Sequence, residues 1–189
     1  MRDYMILAMV RHGQTNFNAQ GIIQGRMNNP LNDIGRKQAE QLAEALLEKH
    51  EHFDFIASSP LSRALETAYL LSLKLNINKQ ILVDHQFTER DFYHLDGKHV
   101  EDVKHLIRQK NYEYDGYEND KLLIERVTQA CYKLSQRYPE GRILFVAHSH
   151  VIKALLVHVN PDFYNFATVI NNAEVLYFDV SEKSIRLIK

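Results

Sequence analysis

Cysteine is almost missing from this 189-residue chain: Cys131 is the single one, so no internal disulfide can form, and the composition fits a reducing compartment. Net charge is as scant, since 23 Lys and Arg face 24 Asp and Glu and leave −1 at pH 7. That balance gives no reason to expect nucleic acid or an anionic membrane as a partner, and any basic site must be local. Long apolar runs are also lacking. None approaches the roughly 20 residues that span a bilayer, and the run from Met5 to Val10 is too short for a secretory signal core and stops at Arg11. No internal repeat, low-complexity tract or interdomain linker is visible. The expectation is a soluble cytoplasmic protein with one domain over residues 1–189, at an ordinary 45% hydrophobic and 25% charged composition.

What is present begins with Met9-Val10-Arg11-His12-Gly13-Gln14-Thr15. Ile6 to Val10 reads as a buried strand, and Arg11-His12-Gly13 follows at its carboxyl end, where open α/β sheets bind ligands. Gly13 is expected to adopt backbone angles closed to other residues, so that Arg11 and His12 converge on one anion. Asn18 adds a neutral donor. Further on, Asn32 caps a helix over about 33–49, and Phe53 to Ala57 forms a strand that stops at Ser58-Ser59-Pro60. The helix after it has Pro60 in its first turn and carries Arg63. Ile81 to Val83 is a short strand, residues 87–97 have no clean period, and 100–110 suits a helix. A tyrosine-rich loop then leads to a helix capped by Asn119, running to about Tyr138 with Leu122, Leu123, Val127, Ala130, Cys131 and Leu134 inward. Arg142 to Ala147 is the most apolar strand, and it ends in His148-Ser149-His150 before a helix from Val151 to Val159. Two terminal strands, at 175–180 and 185–188, read as antiparallel. This alternation predicts an α/β fold, three-layer α/β/α with a mainly parallel sheet.

Three strand-to-helix junctions thus carry Arg11 and His12, Arg63, and His148, and a parallel sheet aligns them along one edge. Two guanidiniums and a histidinium make a pocket for a dianion, and backbone donors after His148 add to it. A phosphoryl group in transfer spreads charge over three oxygens, which suits such fixed donors. His12 is then a nucleophile if one ring nitrogen is unprotonated, and Glu89 can supply a proton to the leaving oxygen.

These residues resemble the histidine phosphatase superfamily, also called the phosphoglycerate mutase-like family. The likeness covers most of the chain. Arg11, His12, Gly13, Thr15 and Asn18 match its opening motif, and Gln24-Gly25, Pro30-Leu31 and Gly35 match the elements that follow. Ser58-Ser59-Pro60-Leu61-Ser62-Arg63-Ala64-Leu65-Glu66-Thr67-Ala68 matches its highly specific Ser-Ser-Pro-Leu-x-Arg-Ala-x-x-Thr-Ala signature. The resemblance implies a phosphohistidine at His12, Glu89 as general acid and then base, and Arg11, Arg63 and His148 holding the phosphoryl group. Asn18, Gln24, Gly25 and Ser149 complete the substrate site. It implies a small phosphomonoester as substrate, and no metal or other cofactor.

Within the family, Glu89-Arg90-Asp91-Phe92 followed by Gly97 is similar to the phosphatase pattern Glu-x-Asp-Phe-Gly-x-Trp-x-Gly. Gln24 points the same way, and Val100 stands where mutases have a carboxylate-binding lysine. The alternatives are a cofactor-dependent phosphoglycerate mutase, which Arg90 and Lys98 partly resemble, and a non-catalytic phosphate-binding module. His148-x-His150 and His50-x-His52 have the spacing of a metal pair, but His148 has a metal-free explanation and His50-Glu51-His52 ends a polar helix. Ser149-His150 replaces the usual Gly-Gly, and Tyr93 and Leu95 replace a usual glycine and tryptophan. Residues 90–118 resemble the family's variable cap, in which Lys98 and Arg108 are expected to touch the non-phosphate part of the substrate. Because Glu89 must be protonated for the first step, the rate is expected to fall as pH rises toward neutrality or beyond.

Overall fold

The structure is a computed structural model that describes residues 4–109 and 112–188. Its sheet has six strands, β1 (Met5–Arg11), β2 (Phe55–Ser58), β3 (Leu82–Val83), β4 (Arg142–Ala147), β5 (Val175–Val180) and β6 (Ile185–Leu187), in the order β3-β2-β4-β1-β5-β6. β1, β2, β3 and β4 pair in parallel, and β5 and β6 extend the sheet antiparallel from β1. The helices are α1 (Asn16–Ala19), α2 (Asp33–Glu48), α3 (Ser62–Lys74), α4 (Val100–Ile107), α5 (Asp120–Arg137) and α6 (Ser149–Val159).

Side chains alternate across a strand, and here the alternation builds two cores. Met5, Leu7 and Met9 of β1 face α5 and α6 together with Ile143, Phe145 and Ala147 of β4. Ile6, Ala8 and Val10 face α2 and α3 with Leu144 and Val146, against Ala43, Leu46, Ala64, Ala68 and Leu71. The result is the expected three-layer α/β/α arrangement. Each large aliphatic side chain sealed in these layers contributes about 1.5–3 kcal/mol.

Register decides where the chemistry lands. Arg11 lies beside Ala147, and Ser58 beside Val146. The next backbone bonds continue the alignment: His12 N–H donates to Ala147 O at 3.0 Å, and Ser59 N–H to Val146 O at 3.0 Å. Three chain segments therefore leave the sheet at one level.

Several boundaries differ from the sequence expectations. Pro60 precedes the helix instead of entering its first turn, since Leu61 is the N-cap of α3. α6 starts at Ser149, two residues early, which puts Ser149 in the first helical turn. α1 was not anticipated; Thr15 caps it and forms a reciprocal capping box with Asn18. Leu122 is 52% exposed, because helical rotation aligns it with Arg126 and Gln129 instead of the buried Leu123, Val127 and Ala130 stripe. The expected helix over 100–110 is observed to Ile107, and Lys110 and Asn111 lie outside the described residues.

Between β3 and α5 the chain forms a satellite core of Ile23, Phe92, Leu95, Val103, Ile107 and Tyr117. The Gly21–Ile23 segment is tied to it by backbone bonds from Ile23 N–H to Lys98 O (2.9 Å), Gly97 N–H to Ile23 O (2.9 Å) and Val100 N–H to Gly21 O (2.8 Å).

Candidate active site

His12 is 3% exposed at the end of β1, and its two ring nitrogens have different partners. Nδ1 lies 2.7 Å from Gly13 O, while Arg63 Nε–H donates to Nε2 at 3.2 Å. A carbonyl can only accept and a guanidinium can only donate, so Nδ1 carries the hydrogen and Nε2 the lone pair. Burial, then the charges of Arg63 and Arg11, push the His12 pKa well below its ordinary value. The ring is a neutral base with its attacking nitrogen defined.

Gly13 is required here for space. It is not among the positive-φ glycines, contrary to the sequence expectation. A Cβ on Gly13 would lie 2.3 Å from Gly35 O, and one on Gly35 would lie 2.1 Å from Gln14 O. Two backbones meet through paired glycines, and Gly13 N–H donates to Thr67 Oγ1 at 3.1 Å. Gly25 does need positive φ (47°), and Asp96 leaves no room for a side chain there.

Arg63 sits in the first turn of α3, 1% exposed. Its Nη1 and Nη2 donate to Met27 O (2.6 Å) and Gly25 O (2.8 Å), so the loop carrying Gln24 and Gly25 aims the guanidinium. Burial lowers its pKa to about 10, which leaves it charged near neutrality. Arg11 donates through Nη1 to Ile170 O, and its buried Nε has no partner among the described residues.

His148, fully buried at the N-cap of α6, places Nε2 2.6 Å from Ser59 Oγ. Its Nδ1 is buried without a partner among the described residues. Burial and the charges of Arg63, His12 and Arg11 drive its pKa well down, so the ring is a neutral imidazole in place of the histidinium expected from sequence. In the tautomer in which the Ser59 hydroxyl donates to Nε2, Nδ1–H is the free donor. The rings of His12 and His148 are 5.2 Å apart.

Glu89, 7% exposed, accepts from Arg90 N–H (2.9 Å) and from His150 N–H in the first turn of α6 (3.4 Å). Arg90 points away from this centre: fully buried, it donates to Tyr117 Oη (2.6 Å) and Asp120 Oδ1 (2.7 Å) and covers the Phe166 ring at 4.2 Å. The amide carbonyls of Asn18 and Gln24 are engaged by Thr15 N–H (3.1 Å) and the Thr15 hydroxyl (2.9 Å). Their NH₂ ends are thereby left as donors.

Of the nine site residues singled out from sequence, all but His148 line one cavity of about 290 Å³. Lys98 does not reach it; it is exposed, and Arg108 and Lys104 line the wall with Lys153, which sequence reasoning missed. The segment after α6 was also missed. Phe166 stacks on His150 at 5.3 Å, and Asn172 Nδ2–H donates to His12 O at 2.9 Å. No periodicity or motif marks that loop. Tyr93, where the family usually has glycine, adopts the glycine-like φ of 52°, and Gly116 makes room for its ring.

A lone-pair imidazole, two guanidiniums and a carboxylate thus line one cavity along the carboxyl edge of the three-layer sheet of this α/β protein. The chain belongs to the Histidine phosphatase superfamily (branch 1), whose profile matches residues 7–189. Phosphoglycerate mutase-like protein 4 of Arabidopsis thaliana is 30% identical over 182 residues, 90% of this chain and 78% of that protein. The uncharacterized phosphatase PhoE of Bacillus subtilis (strain 168) is 34% identical over 157 residues, 82% of this chain and 77% of its own length. Among solved structures, an Entamoeba histolytica phosphoserine phosphatase mutant in complex with phosphoserine has a TM-score of 0.82 at 24% identity, covering 98% of this chain and 95% of that one. That likeness establishes the shared phosphoglycerate mutase-like fold.

Proposed function

We propose that the protein hydrolyses a small phosphomonoester through a phosphohistidine on Nε2 of His12, without a metal. The observation that carries this is the His12 tautomer: Nδ1–H is fixed on Gly13 O and the Nε2 lone pair faces Arg63. Substrate entry replaces the Arg63 Nε contact, and Nε2 attacks phosphorus as the bond to the ester oxygen breaks. Glu89, protonated, gives its hydrogen to that oxygen. The Glu89 carboxylate then takes a proton from the water that attacks the phosphoenzyme, which returns free His12 and inorganic phosphate.

Arg11, Arg63, the Nδ1–H of His148, the amides of Asn18 and Gln24 and the Ser149 backbone bind the equatorial oxygens. These protein donors match the charge of the phosphoryl group by themselves. A cavity of about 290 Å³ suits a small metabolite. A metal-independent phosphoserine phosphatase of Arabidopsis thaliana, 27% identical over 163 residues, supports the same reading.

The test is turnover of p-nitrophenyl phosphate and a panel of phosphorylated metabolites in excess chelator, with His12→Ala alongside. Turnover that survives chelation and drops at least about 10³-fold in the variant is expected, with a base-stable, acid-labile phosphoenzyme trapped from the wild type. Phosphate binding with no turnover of any compound would leave a binding module, and interconversion of phosphoglycerates would make the protein a mutase.

A further inference from the structure

The turn over residues 24–27 serves two partners at once. Met27 N–H donates to Gln24 O at 2.8 Å and closes it, with Gly25 at its positive φ of 47°. The carbonyls of Gly25 and Met27 aim Arg63. Between them, the side chain of Arg26 reaches the segment that carries Glu89. Its Nε–H donates to Glu89 O at 3.3 Å, Nη1 lies 3.1 Å from Asp91 Oδ2, and Nη2 lies 3.6 Å from Glu118 Oε2.

α5 grips the same segment from its other side. Arg126 Nη1 donates to Thr88 O at 3.0 Å and to Gln86 O, and its Nε and Nη2 form a fork on Glu118 Oε1 (2.7 Å) and Oε2 (2.9 Å). Glu118 accepts from Asp91 N–H at 3.1 Å, while its own N–H donates to Asp91 O at 2.9 Å. Burial works against the Glu118 charge, but the hydrogen bond and charge of Arg126, then Asp91 N–H and Arg26, hold its carboxyl below the ordinary range. The carbonyls of residues 86, 88 and 89 and the amide of 91 are thus fixed by one Arg26–Glu118–Arg126 array. A general acid must meet the leaving oxygen within a narrow range of distance, and a displacement of about 1 Å can cost about 10²-fold in rate. Arg26 is not among the residues that line the cavity, so its influence on the reaction runs through the groups it holds.

We propose, resting on the phosphomonoester hydrolase reading above, that Arg26 is a positioning residue: it ties the turn that aims Arg63 to the backbone of Glu89, and so sets the distance between the bound phosphoryl group and its proton donor.

The test compares leaving groups. With a phosphoenzyme, kcat/KM covers the steps through departure of the leaving group, and a weakly basic oxygen departs without a proton. Phenyl, 4-nitrophenyl and 2,4-dinitrophenyl phosphate are assayed on wild type, Arg26→Met, Glu89→Gln and the double variant. Arg26 is half-exposed, so its variant is expected to fold. In Arg26→Met, kcat/KM should fall at least about tenfold for phenyl phosphate and less than about threefold for 2,4-dinitrophenyl phosphate. Inorganic phosphate should inhibit it as it does wild type, because Arg11 and Arg63 still bind the anion. Glu89→Gln should show the same dependence more steeply, and adding Arg26→Met to it should cost phenyl phosphate little more. An equal loss for all three esters, no loss, a weaker hold on inorganic phosphate, or full additivity with Glu89→Gln overturns the positioning role and leaves the hydrolase reading standing. Should only a metabolite be turned over, its kcat must fall in Arg26→Met with phosphate inhibition unchanged, or the role fails. A wild type that hydrolyses no ester at all overturns the hydrolase reading and the positioning role together.

Discussion

At the scale of residues, the site depends on which atoms are already engaged. His12 Nε2 keeps its lone pair because the Nδ1 hydrogen is held on Gly13 O and because burial, then two guanidiniums, oppose a second proton. Gly13 contributes through close approach, and this makes a sharp prediction. Gly13→Ala puts a Cβ against Gly35 O, so stability should fall by about 1–3 kcal/mol, read as a lower denaturant midpoint, and His12 should shift enough to depress kcat. A variant as stable and active as wild type would contradict the packing argument. The sequence made the identity of Gly13 legible but not its reason, since backbone freedom and backbone contact leave the same one-letter mark. His148 shows the same limit. Its place was readable from the strand end, whereas its neutrality follows from a burial that no local pattern encodes.

At the scale of elements, α3 works as a bracket. Arg63, Glu66 and Thr67 leave one side of it at helical spacing: Arg63 reaches the 25–27 loop, Glu66 accepts from Leu31 N–H (3.1 Å) and Arg36 Nε–H (2.6 Å), and Thr67 accepts from Gly13 N–H. The signature over residues 58–68 is therefore a set of tethers as much as a reactive group. Thr67→Val keeps the shape and removes the acceptor, leaving a buried N–H unpaired. It should cost about 1–3 kcal/mol in a denaturation curve, and an unchanged curve would mean that Gly13 N–H finds another partner. Strongly patterned elements such as β1, β4 and α5 were legible, the strands as continuous apolar runs and the helix by its apolar period. The segment carrying Phe166, Ile170 and Asn172 was not, because irregular segments are held by contacts with distant residues and have no period of their own.

At the scale of the whole molecule, the fold keeps His12 and His148 neutral inside. Both have native pKa values below the unfolded value of about 6.5, so an unfolded chain binds protons that the native chain refuses. Stability from this source is complete above that pH and is lost as pH falls below it, by about 1.4 kcal/mol per pH unit for each ring. Denaturant midpoints measured from pH 7.5 to 5 should decline in wild type and decline less steeply in His148→Gln; parallel curves would refute the assignment. Cys131, fully buried with its thiol pKa raised by burial, should resist a thiol reagent until the protein unfolds, and rapid labelling of native protein would contradict its place in the core.

By itself the sequence determined the succession of strands and helices apart from α1, the three strand ends that carry Arg11, His12, Arg63 and His148, and the family motif that names them. Those are local matters: periodicity, caps, and residue types at fixed spacing. The tertiary structure alone decided the charge state of the histidines, the tautomer of His12, the packing role of Gly13, and the placing of Lys153, and not Lys98, on the cavity wall beside Arg108. Each of these depends on desolvation or on contacts between residues far apart in sequence, and these exist only once the layers have closed around the sheet.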